Sequence, residues 1–122
     1  MIKVLLIEDD DFVGKIYQSA LTERGFEVVV APDGEAGIKA AQTDRPDVII
    51  SDVIMPKKNG FEVLEQLKKD PQTKAIPVIM FSNLAQSQDK QQAQALGASD
   101  YLVKNDTTYD SLAEAIKKVL PS

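Results

Sequence analysis

Short continuous apolar runs recur along the chain: KVLLI over 3–7, EVVVA over 27–31, DVIIS over 47–51, PVIMF over 77–81 and DYLV over 100–103. They are rich in Val and Ile and do not alternate apolar with polar, which is the pattern of strands covered on both faces. The segments between them place apolar residues at helical spacing instead. Val13, Ile16, Tyr17, Ala20 and Leu21 share one side of a helix that Gly25 ends. Asp33-Gly34 opens a second segment, which carries Ala36, Ala40 and Ala41 and stops before Pro46. Asn59, with Glu62 three residues on, predicts a capping box ahead of Phe61, Leu64 and Leu67, and Pro71 closes that helix. A Gln- and Ala-rich segment over 86–96 ends at Gly97, and a last one over 108–120 carries Leu112, Ile116, Val119 and Leu120.

Strand and helix thus alternate five times with short connections. That alternation predicts an α/β fold: a parallel, doubly wound sheet of five strands with right-handed crossovers and five helices shared between its faces. The expected strand order is 2-1-3-4-5, the flavodoxin-like arrangement. No linker or repeat divides the chain. At 122 residues, 43% of them hydrophobic, it has material for one core, so a single domain over 1–122 is expected.

Composition narrows the chemistry. The net charge is −5, with acids and bases intermixed, which argues against direct binding to a nucleic-acid backbone. Cysteine and histidine are both absent, which removes disulfides, zinc–thiolate sites and the commonest general base. No apolar run reaches signal-peptide or membrane-spanning length, so a soluble cytoplasmic protein without membrane insertion is expected.

The residues that follow the apolar runs are polar in a particular way. Strand one is followed by Glu8-Asp9, strand three by Asp52, strand four by Ser82 and strand five by Lys104. In an open parallel sheet the carboxyl ends of the strands share one edge, and ligands bind there, where the strand order reverses. Order 2-1-3-4-5 makes strands one and three neighbours at that point. Glu8, Asp9 and Asp52 then share a pocket, with Ser82 and Lys104 on its rim. One lysine cannot neutralise so many acids, whereas a hard divalent cation can, and Mg²⁺, or Mn²⁺ in its place, suits carboxylate and phosphate oxygens. Asp52 becomes a candidate nucleophile for phosphoryl transfer, with Lys104 and Ser82 contacting the other oxygens. Taken singly, each residue has an ordinary explanation. Asp10 and Asp11 read as helix N-terminal acids, Lys57-Lys58 as a solvated loop, and Tyr101 as a packing residue of a strand.

The segments IEDD, SDVIMPKKNG, MFSN, GASDY and VK, in that order along essentially the whole chain, resemble the receiver domains of two-component response regulators, and in particular the stand-alone chemotaxis type. The resemblance implies that Asp52 is the phosphorylated aspartate and that Asp9, Glu8 and the backbone carbonyl of Ile54 hold the metal with it. It implies further that Ser82 is the switch hydroxyl, Tyr101 the aromatic that turns inward, and Lys104 the phosphate-pairing lysine. A histidine kinase or phosphotransfer protein would donate the phosphoryl group, and an unnamed target protein would read the face formed by helix four, strand five and helix five.

This chain departs from the family after its lysine. Asn105 stands where proline usually follows the lysine, so the Lys104-Asn105 bond is expected either trans with a rearranged loop or cis under strong local contacts. The resemblance implies that Ile54 and Leu84 flank the phosphoryl group, and since both are apolar it predicts slow hydrolysis of the acyl phosphate. Gly14, inside the first helix, is read either as merely tolerated or as room for a kinase helix. Other readings stay open: a phosphorelay intermediate, a receiver detached from a larger regulator, and a phosphatase of the haloacid-dehalogenase type. The last needs a second aspartate where this chain has Ile54. A nucleotide or flavin module is disfavoured, because no glycine-rich loop follows the first strand.

Overall fold

The computed structural model describes residues 1–121. Strands β1 (Lys3–Ile7), β2 (Glu27–Ala31), β3 (Val48–Ser51), β4 (Val78–Ser82) and β5 (Asp100–Val103) alternate with helices α1 (Asp11–Glu23), α2 (Gly34–Asp44), α3 (Gly60–Lys69), α4 (Ser87–Ala95) and α5 (Tyr109–Val119). The strands are all parallel, in the order β2-β1-β3-β4-β5 expected from the alternation. Register aligns Ile7 with both Ala31 and Ser51, so β1, β2 and β3 end level with one another.

Side chains alternate across each strand and build two cores. Leu5, Ile7, Ile49, Val78 and Met80 face α2 and α3, where Ile38, Ala41, Val63, Leu64 and Leu67 meet them. Val4, Leu6, Val48, Ile50, Ile79 and Phe81 face the other way, onto Leu21 of α1 and Leu112 and Ile116 of α5. Both faces are covered throughout β1, β3 and β4, apart from the first residue of β1. The edge strands differ from the expectation, since β2 and β5 are mostly half-buried. Each has a neighbour on one side only.

Local signals act where the sequence places them. Asp10 caps α1, accepting from the amides of Phe12 and Val13 at 2.9 and 3.0 Å. Asn59 and Glu62 form the capping box, each side chain accepting from the other's backbone N–H. Gly25, at φ 93°, follows α1 in the left-handed region that glycine adopts without cost. The Gln-rich helix α4 buries only Ala93 and has no side-chain cap, so little holds it to the sheet.

Gly14 corrects one reading. It is buried, and a Cβ there would lie 3.2 Å from Val30 Cγ1 and 3.8 Å from Glu8 Cγ. The glycine faces inward and lets α1 settle on β2 and on Glu8; it leaves no room for an outside helix. The loop after β5 takes the first of the two forms expected for it. No peptide bond among the described residues is cis, and Lys104–Asp106 form a 3₁₀ turn. The Asn105 amide donates to Asn83 Oδ1 at 3.0 Å, and Thr107 Oγ1 donates to the Val103 carbonyl at 2.7 Å.

Candidate functional site

Residues at the carboxyl edge of the sheet converge beside the β1–β3 junction. The Glu8 amide continues the ladder to Ala31 at 3.0 Å, and the Asp52 amide reaches the Ile7 carbonyl at 3.2 Å. Both acids are therefore positioned by backbone that is still tied to the sheet. One carboxylate oxygen from each of Glu8, Asp9 and Asp52 lies within 4.8 Å of the others. Glu8 is 5% exposed, Asp52 half-buried and Asp9 exposed.

Lys104 stands inside this cluster and not on its rim, as sequence reasoning had it. Its Nζ donates to Glu8 Oε1 at 2.9 Å and to Asp52 Oδ2 at 2.8 Å. Burial alone would push the ammonium's pKa down; the hydrogen bonds to Asp52 and Glu8 and the negative charges of both acids together outweigh it, and the pKa stands above the usual lysine value. The second Asp52 oxygen, Oδ1, accepts from the amides of Val53 at 2.7 Å and Ile54 at 3.2 Å. Glu8 Oε2 likewise accepts from the Asp10 amide at 3.1 Å. Asp9 alone of the three acids has no cationic partner among the described residues.

The remaining predicted residues lie beside this cluster. Ser82 is the last residue of β4 rather than the first after it, and is 1% exposed. Its Oγ accepts from the Leu84 amide at 3.3 Å. The Tyr101 hydroxyl donates to the Leu84 carbonyl at 2.8 Å, which ties β5 to the same loop. Burial, followed by the charges of Asp89 and Asp52, raises the Tyr101 pKa, and the Ser82 hydroxyl opposes that rise. Leu84 is half-buried, whereas the Ile54 side chain is 62% exposed.

Sequence reasoning did not single out several supports. A Cβ on Gly60 would stand 2.1 Å from the Asp52 carbonyl oxygen, while the Gly60 amide donates to the Val53 carbonyl at 2.8 Å. Only glycine fits where α3 begins against the Asp52 turn. Asn83 holds the Lys104 turn through Asn105, and Phe81 lies under the Lys104 ammonium. The glycine that ends SDVIMPKKNG was a usable signal for Gly60. Phe81 and Asn83 lie in the segment MFSN, but nothing local shows that they support Lys104 and its turn.

Fold and site together define the chain as a receiver domain: the response regulator receiver family matches residues 4–117, and the chain belongs to that family. Among solved structures it is similar to the chemotaxis protein CheY4 of Vibrio cholerae, with TM-score 0.91, 35% identity, and 98% and 99% of the two chains covered. It is 35% identical over 120 residues to the protein PilH of Pseudomonas aeruginosa, covering 98% of each. It also matches the alkaline phosphatase synthesis transcriptional regulatory protein PhoP of Bacillus subtilis at 36% identity, but spans only 42% of that protein's length. The chain is thus a response regulator receiver of two-component signalling, similar over its length to stand-alone members. No helix among the described residues is long and apolar enough to cross a membrane.

Proposed function

We propose that the chain is a phosphoacceptor module whose Asp52 receives a phosphoryl group from the phosphohistidine of a histidine kinase or phosphotransfer protein in the cytoplasm. The observation that carries this is the Lys104 ammonium set between Glu8 and Asp52 while a third acid, Asp9, stands within reach of both. Three carboxylates around one ammonium leave net negative charge, and a dianionic phosphoryl group could not approach it unaided. The donor set is all oxygen, as Mg²⁺ or Mn²⁺ requires, and Glu8, Asp9, Asp52 and the Ile54 carbonyl would hold the ion. Bound there, the ion would neutralise charge on the acids and on the transferred group.

The chain's own residues do the rest. Val53 and Ile54 amides fix one oxygen of Asp52, which limits rotation of the carboxylate. A P–O bond to Asp52 forms as the P–N bond of the phosphohistidine breaks, and the imidazole nitrogen leaves with the bonding pair. Lys104 then exchanges the Asp52 oxygen for one on phosphorus. Ser82 turns its hydroxyl from the Leu84 amide to another phosphoryl oxygen, which releases the Leu84 loop and with it Tyr101. The face changed by that motion is the one formed by α4, β5 and α5. A recess of about 300 Å³ lies on its α4–β5 side, lined by residues that include Lys90, Ala93, Gln94, Ala98, Asp100 and Tyr101, and a target protein would read it. Such a module catalyses only its own phosphorylation and dephosphorylation. The exposed Ile54 side chain offers no acid–base group, which weighs against a haloacid-dehalogenase-type phosphatase.

Acetyl phosphate or beryllofluoride with Mg²⁺, applied to the wild type and to Asp52→Asn, tests this reading. The expected result is one added phosphoryl group in intact mass, absent in Asp52→Asn, with NMR shifts spreading to Tyr101. Label elsewhere, or none, would overturn it.

A further inference from the structure

Lys104 has a partner besides its two carboxylates. Its Nζ lies 5.6 Å from the centroid of the Phe81 ring, within the distance at which an ammonium and an aromatic face attract. Phe81 is 1% exposed and belongs to the core on the α1 and α5 side. Its ring is itself held: Tyr17 meets it edge to face, with centroids 5.1 Å apart and planes at 87°. Tyr109 meets Tyr17 in turn at 5.7 Å and 81°, and the Arg24 guanidinium stands 5.6 Å from the Tyr109 ring. A row of rings therefore runs from Lys104 to the α1–α5 surface with a cation at each end.

We propose that Phe81 is a positioning residue for Lys104, an aromatic floor that holds the ammonium between Glu8 and Asp52 and keeps it there when its oxygen partners change. The argument is one of solvation. The Lys104 side chain is only 15% exposed, and an ammonium that loses water needs a partner on each side. An aliphatic side chain at position 81 would fill the space and attract no charge. The phenyl face attracts it, and that contact survives when Asp52 Oδ2 is exchanged for a phosphoryl oxygen. Lys104 donates both of its hydrogen bonds to carboxylates of the site; the one to Asp52 is exchanged in the reaction, whereas the ring contact is not altered. This inference rests on the phosphoacceptor reading, although the positioning itself can be measured without any phosphoryl group.

The test compares the full chain carrying Phe81, Phe81→Leu, or pentafluorophenylalanine at position 81. Leucine keeps the site apolar; the fluorinated ring keeps the shape but reverses the electrostatics of the face. Two quantities are read: the mobility of the Lys104 ε-carbon by ¹³C relaxation, and the rate of Asp52 labelling by acetyl phosphate at saturating Mg²⁺. Both variants should show a more mobile ε-carbon and labelling slower by roughly three- to tenfold, the size expected for a partly desolvated cation–π contact. A fluorinated protein with wild-type mobility of Lys104 overturns the proposal, whatever its labelling rate, because packing alone would then explain Phe81. Failure of the unmodified chain to be labelled at Asp52 would instead overturn the phosphoacceptor reading, and the relaxation data would still decide the positioning of Lys104.

Discussion

The Asp52 carboxylate divides its two oxygens between backbone amides and an ammonium, and the residues around it are constrained by that division. Gly60 is the strictest case. Because a Cβ would meet the Asp52 carbonyl oxygen at 2.1 Å, Gly60→Ala must displace backbone, and overpacking of this kind costs about 1–3 kcal/mol. Urea titration should show that loss, together with slower labelling of Asp52. Under the proposed function, Ile54 and Leu84 would flank the phosphoryl group of the product. Apolar side chains there would not orient an attacking water, so Ile54→Asn with Leu84→Lys should shorten the lifetime of the acyl phosphate several-fold. An unchanged decay rate in a quench assay would refute that role. Tyr101 links the site to pH. Burial raises its folded-state pKa above the ordinary tyrosine value, so the folded form holds its proton more tightly than the unfolded chain. The corresponding stability is present below pH 10 and is lost as pH rises through the folded-state value. Tyr101→Phe should flatten the stability profile in that alkaline range and leave neutral pH little changed apart from the lost hydrogen bond.

At the scale of elements, connections that look alike in sequence are held in different ways. The β3–α3 connection ends in a reciprocal capping box, and Asn59→Ala should cost about 0.5–2 kcal/mol by thermal denaturation. The connection after β5 depends on another loop altogether. Asn83 accepts from the Asn105 amide, and Asn83→Ala would leave that amide to water. Faster hydrogen exchange at Asn105 is expected, with a stability loss of about 0.5–1.5 kcal/mol. Wild-type exchange at that amide would show that the 3₁₀ turn is held by Thr107 and Val103 alone. The capping box was legible because Asn59 and Glu62 are three residues apart. The Asn83–Asn105 contact was not, because its partners are 22 residues apart and neither is unusual in a loop.

For the whole molecule, the relevant feature is like charge gathered at one sheet edge of a chain already at net charge −5. An ion that binds there in the folded form alone would stabilise the fold. Mg²⁺ at a hundred times its Kd should add about 2.7 kcal/mol, seen as a rise in Tm of several degrees. Asp9→Asn, which removes the acid without a cationic partner, should greatly reduce that rise. An equal rise in the variant would show that Asp9 does not hold the ion.

Alternation of continuous apolar runs with helical periodicity was sufficient to specify a parallel sheet flanked by helices, covered on both faces in its three central strands, since period and continuity are local properties of the chain. The acids at the ends of the first and third runs were legible for the same reason. What only tertiary structure decided is who meets whom. Lys104 reaches Glu8 across 96 residues and Asp52 across 52, and that contact turned an expected rim residue into the centre of the cluster. Gly14 gained its meaning from Val30 and Glu8, and Phe81 gained its own from an ammonium in the turn after β5. Burial of a side chain can be read from pattern, because it depends on the residue and its period. Its partners cannot, because they depend on strand order and register, which no single segment encodes.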